Sequence, residues 1–117
     1  MNAVLLATIP SLRGDGSALA PTDIASITYQ KTSLGADGVT QGPQQTLQTN
    51  SAVAGAGLQL SDLTFTDVSS VEGDTYTFFV TDTDGDAGAL SNAVANPGVV
   101  VVKPSAPAAG TLTATFN

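Results

Sequence analysis

Few residues here can do chemistry, and their spacing says what kind. In the stretch DTDGD, Asp82, Asp84 and Asp86 alternate as the first three ligands of a calcium loop do, and Ca²⁺ takes oxygen donors of this sort. The match then stops. Position six of such a loop is Ala87 where a glycine is needed, and position twelve is Ala93 where a bidentate glutamate is needed. The stretch reads as a hairpin tip with a local negative patch. Asp82, Asp84 and Asp86 remain weak metal candidates, with Asp15 or Asp37 as supplementary ligands.

Other constellations fall short of a site. Arg13, Gly14 and Asp15 form an RGD tripeptide, but Gly14, Asp15 and Gly16 are first of all turn residues. Glu72 and Asp74 are expected in an exposed turn, with no sign of a pocket around them. The chain has no His and no Cys, which removes the commonest general base, the commonest metal ligand and any thiolate. No serine has a histidine partner, and no glycine-rich loop with a lysine leads into a helix to cradle phosphate. A non-enzymatic protein without a cofactor is expected.

Charge narrows the partners. Three basic residues, Arg13, Lys31 and Lys103, stand against ten acidic ones, for a net charge of -7. Nucleic-acid binding needs clustered cations to displace counterions, and three scattered ones do not supply them. Anionic membrane surfaces are disfavoured for the same reason. The start MNAVLLATIPSL has no basic region, and its apolar run over residues 3–7 is shorter than a secretory signal needs. No stretch approaches the roughly 20 apolar residues of a membrane span, so membrane insertion is not expected.

The elements that would position these residues are strands. Apolar residues nowhere recur at helical spacing over three turns, and Thr, Val, Gly, Ser and Asp are abundant. Short apolar runs between turn clusters predict an all-β fold, a single antiparallel sandwich. Strands are expected at residues 3–8 (nearly all apolar, hence largely buried), 23–32, the polar QQTLQT, 58–68 with a bulge or kink between Leu60 and Leu63, and 74–83. ALSNAVANPGVVVV is expected to return as the last strand of the body. Ile27 and Tyr29 should point one way and Thr28 and Gln30 the other, with Tyr76, Phe78 and Val80 inward.

In this order the residues resemble a fibronectin type III module or a close immunoglobulin-like relative. LLATIP, RGDGSAL and DIASITYQK are similar to that family's second strand, the following loop and the third strand. VEGDTYTFFVTDTDGDAGALSNAV is similar to its sixth and seventh strands. The resemblance covers about residues 3–102. It implies that Tyr76 is a tyrosine-corner residue whose hydroxyl bonds backbone just upstream. The family's tryptophan on the second strand is absent, and Leu5 or Leu6 stands in its place.

The pattern also begins at the second strand, whereas the end of the chain, PSAPAAGTLTATFN, resembles a first strand. A domain over residues 1–103 with an extension over 104–117 is expected. Without a first strand, the apolar strand containing Val4, Leu5 and Leu6 would have an open edge, which invites association. Thr111, Leu112, Thr113, Ala114, Thr115 and Phe116 have the alternation to cover it. A return within the same chain must cross about 30 Å, some nine extended residues at about 3.3 Å each. Only seven residues lie between Lys103 and Thr111. Pairing with a neighbouring copy or another assembly protein is therefore favoured over a permuted strand in the same chain or a disordered linker.

The expectation for function is a structural subunit, similar to the immunoglobulin-like decoration, spike and tail-associated proteins of bacteriophages. Such a subunit works at a virion surface or outside a cell. Its partners would be copies of itself or another structural protein of the particle, with a surface glycan as a further contact. The alternatives are a self-polymerising filament held by strand donation and a spacer module of an adhesin or glycanase.

Overall fold

The structure is a computed structural model that describes residues 2–96, the backbone of 99–101, and residues 110–117. Eight strands make it all-β: β1 (Ala3–Thr8), β2 (Ile24–Thr32), β3 (Gln45–Ser51), β4 (Thr64–Asp67), β5 (Thr75–Asp82), β6 (Ala93–Ala95), β7 (Val99–Val101) and β8 (Thr111–Phe116). They form two antiparallel sheets, ordered β4-β1-β8 and β3-β2-β5-β6-β7. Among the described residues no helix is long and apolar enough to cross a membrane.

The two sheets face each other because alternation gives each an apolar side. Ala3, Leu5, Ala7 and Leu112 come from one sheet, and Ile27, Tyr29, Tyr76, Phe78 and Val80 from the other; all are buried in one cluster. Aromatic rings cross between the layers. Tyr29 stacks on Phe65 at 5.4 Å, and Tyr76 meets Phe116 at 6.5 Å. β1 is less buried than its composition suggests. Leu5 is sealed in the core, while Leu6 is 47% exposed on the outer face.

Two stretches read as single strands are divided. Residues 58–68 contain a 3-10 turn, Leu60–Leu63, before β4 begins, so the change of phase there is a turn and not a bulge. Its cause is local: the Asp62 carboxylate accepts the Gln59 backbone N–H at 2.8 Å and closes the turn. Register shifts lie instead in the five-stranded sheet, where β3 skips a residue against Tyr29 and Gln30 and where β2 shifts against β5 between Ile24 and Ser26. The run from Ala89 to Val102 also divides. β7 turns back antiparallel on β6, with Ala93 opposite Val101.

That reversal overturns the expected pairing between copies. β8 pairs with β1 of its own chain, from Ala3 opposite Phe116 to Thr8 opposite Thr111. Val101 lies opposite Ala93, next to the Asn92 that bonds Leu112, so by the end of β7 the chain has turned back toward β8. The proline-containing entry to the tail, and the boundary at 103 and 104, lie outside the described residues.

Three local features fasten β8. Asn92 Oδ1 accepts the Leu112 N–H at 2.9 Å, and its Nδ2 donates to the Leu112 carbonyl at 3.2 Å, so one side chain acts as a strand partner from the opposite sheet. Asn2 and Asn117 exchange both backbone bonds at 3.2 Å and extend the ladder by one pair. At Gly110 a Cβ would come within 2.5 Å of both Phe78 Cζ and the Thr8 carbonyl, so only glycine lets the chain enter here. Leu112→Ala should cost about 3 kcal/mol through lost burial and a cavity at the sheet interface. Denaturant unfolding checks this, and a loss under about 1 kcal/mol would show that β8 is not part of the core.

Candidate functional site

Two polar constellations stand out, one at each end of the sandwich. The first is buried, where β4 turns into β5. Tyr76 is fully buried near the start of β5, as a corner tyrosine should be, but its hydroxyl meets side chains and not backbone. It lies 2.8 Å from Asp67 Oδ2 and 2.6 Å from Ser70 Oγ. The phenol has one proton, which belongs to the carboxylate, so the Ser70 hydroxyl donates to Tyr76. Asn96 Nδ2 in turn donates to Ser70 at 2.9 Å.

Lys31 completes this corner from β2. Its ammonium lies 2.9 Å from Asp67 Oδ2 and 3.7 Å from Asp74 Oδ2. Burial pushes the Asp67 carboxyl up, but Lys31, Tyr76 and Ser69 outweigh it and hold it at about 2. Burial pushes the Tyr76 hydroxyl well above its ordinary range. Neither group is poised to exchange protons near neutrality, so this is a structural lock. Tyr29 makes the backbone bond expected of a corner residue, donating to the Asp62 carbonyl at 2.7 Å.

The second constellation is at the opposite pole, where two hairpin tips meet. Residues 12–18 form one tip, closed by Arg13 N–H to the Ser17 carbonyl at 2.8 Å, and Asp15 accepts from both the Ser17 backbone and its hydroxyl. Asp82 to Asp86 form the other, with Gly85 at φ +89°. Arg13 joins them: Nη1 lies 3.0 Å from Asp82 Oδ2, and Nη2 lies 4.0 Å from Asp23. The RGD residues are therefore turn and tie, with Arg13 held in an ion pair.

The calcium candidates do not assemble into a site. Asp82 Oδ1 accepts the backbone N–H groups of Asp84 and Asp86 at 3.0 and 2.9 Å, while Oδ2 is taken by Arg13. The Asp86 backbone bond first, then Arg13 and the Asp84 backbone bond, lower the Asp82 pKa. Asp15 is held by Ser17. Asp37 is at the far pole, because it follows Thr32, which pairs with Thr75 at the opposite end of β5 from Asp82. Among the described residues no three acidic side chains converge as a metal would require.

Between the hairpin tips lies an open cavity of about 210 Å³. Leu12, Leu19, Ile24, Phe78 and Val80 form its apolar floor, and Arg13, Asp82 and Asp86 stand among its polar lining. Sequence reasoning did not find this cavity, the Lys31 corner or the Asn92 latch. The assembly residues it named are brought together, Val4, Leu5 and Leu6 opposite Thr115, Ala114 and Thr113, but within one chain. No protein-family model, curated protein or solved structure matches this chain.

The Asp67 carboxyl gives a pH test of the buried corner. Its pKa is depressed in the fold, so its contribution is present above about pH 4 and lost as pH falls toward 2. About 2 kcal/mol should disappear over that window, measured by denaturant unfolding at stepped pH. Asp67→Asn should be less stable at pH 7 and show a flatter acid limb. Parallel acid limbs for the two proteins would contradict the assignment.

Proposed function

We propose that this protein is a non-enzymatic structural module of a larger extracellular assembly, of the kind found at bacteriophage virion surfaces. Its fold reads as an immunoglobulin-like sandwich of the fibronectin type III kind, with the first strand moved to the C-terminal end. The strand order supports that reading. With β8 counted first, the sheets become first-second-fifth and a second sheet of the third, fourth, sixth and seventh strands, extended by β7.

The observation that carries the functional reading is how the acidic groups are used. Of nine aspartates, seven (Asp15, Asp23, Asp37, Asp62, Asp67, Asp74 and Asp82) accept backbone N–H groups of their own or adjoining turns. Arg13 and Lys31 are both held in ion pairs. The side chains that could do chemistry are instead shaping loops on a rigid sandwich. Such a body suits a part that holds position and presents a surface. Strand donation is not carried forward, since β1 has its partner within the chain.

Immunogold microscopy tests the reading. An antibody raised against the folded protein should label the outside of intact particles from the producing culture, with the protein at a fixed ratio to the main shell or tail protein. Recovery of the protein only from the soluble, particle-free fraction would contradict it.

A further inference from the structure

The cavity at the loop pole pairs an apolar floor with an acidic surround, and the two together select an occupant. Leu12 is half exposed and Leu19 partly so, with Ile24, Phe78 and Val80 buried behind them, and apolar surface left facing water is unfavourable. Gly14, Ala87 and Ala89 line it as well, and none has a long side chain to fill it. The cavity is thus formed by the fold and left open by small residues.

The charges around it point the same way. Asp84 and Asp86 are the two aspartates whose carboxylates make no hydrogen bond among the described residues, and both stand on the hairpin that walls the cavity. Asp15, Asp23 and Asp82 lie at the same pole, with Arg13 as the one cation among these groups, held by Asp82. Like charges on a tight turn repel, and among the described residues neither Asp84 nor Asp86 has a cation within ion-pair distance. An anionic ligand is excluded here, and a neutral sugar would use neither charge. A group with a hydrocarbon stem and a positive head uses both.

We infer that this pole is the docking end of the module, and that its cavity receives a lysine side chain from a basic segment of the partner protein. The four methylenes of lysine lie along the apolar floor, and the ammonium sits at the mouth beside Asp86 and Asp84. Both oxygens of Asp82 are already engaged, so among the described residues Asp86 is the lining carboxylate left to meet the ammonium. This rests on the module reading and names the chemistry of its partner.

The test titrates the isotope-labelled full chain with a capped tetra-lysine peptide at low salt, followed by amide NMR. Shifts should localise to residues 12–14 and 80–89. Asp84→Asn with Asp86→Asn should weaken binding about tenfold and leave the melting temperature unchanged. Gly14→Phe adds a ring where a Cβ meets nothing within 4 Å, and should block the cavity without unfolding the protein. Shifts spread over the acidic surface would overturn the proposal, as would binding that survives Gly14→Phe. So would the same response to tetra-glutamate or to glucose. Particle labelling is independent of this titration, so the module reading can stand if the lysine cavity fails.

Discussion

The ladder between the two ends of the chain is the interaction on which the rest depends. β1 is the middle strand of its sheet, and β8 supplies one of its two neighbours from the last residues of the sequence. Leu112 enters the core opposite Ala7, and Phe116 reaches Tyr76 in the facing sheet. Removing β8 would open a strand edge and unroof the core at once. Such closure is entropically demanding, since the first and last strands must meet before either is rewarded. Slow folding is the natural consequence of that topology. The Asn92 latch ties β8 to the chain that enters β6 of the other sheet.

Charge is the second constraint. A net charge of -7 on a small body opposes compaction, yet most of its aspartates stabilise turns by accepting backbone N–H groups. At the buried corner two carboxylates share Lys31. Asp74, expected in an exposed turn, is buried there; its Oδ1 has no donor among the described residues, and the Val71 N–H and the Lys31 charge at Oδ2 offset this second acid. Removing one member of such a set costs more than the set contributes, because the other charges stay behind. The acids outside this scheme at the loop pole are Asp84 and Asp86, the residues the functional account turns to.

How far the sequence discloses this can be traced residue by residue. Alternation in Thr75–Asp82 and around Ile27 and Tyr29 announced the inward faces, because a half-buried strand must alternate. DTDGD announced a hairpin, because Gly85 supplies the positive φ the turn needs. The 3-10 turn at Leu60–Leu63 was hidden: its signal is a single carboxylate reaching back three residues, which resembles any loop aspartate. The reversal of β7 on β6 was hidden as well, since ALSNAVANPGVVVV reads as one strand. The loop-pole cavity joins residues 12–24, 78–89 and 110, a proximity set by tertiary packing and by no local pattern.

Intrachain closure by β8 is open to direct measurement. Val4 and Thr115 are paired on the outer face of the sheet, and neighbouring positions on antiparallel strands lie within disulfide reach. Val4→Cys with Thr115→Cys, oxidised at low micromolar concentration, should give a monomer cross-linked to itself. Mixing the two single-cysteine variants should give no mixed dimer through that pair. Cross-linked dimers or longer chains from the double variant, together with mixed dimers from the singles, would mean that β8 belongs to a neighbouring molecule, and would contradict the account.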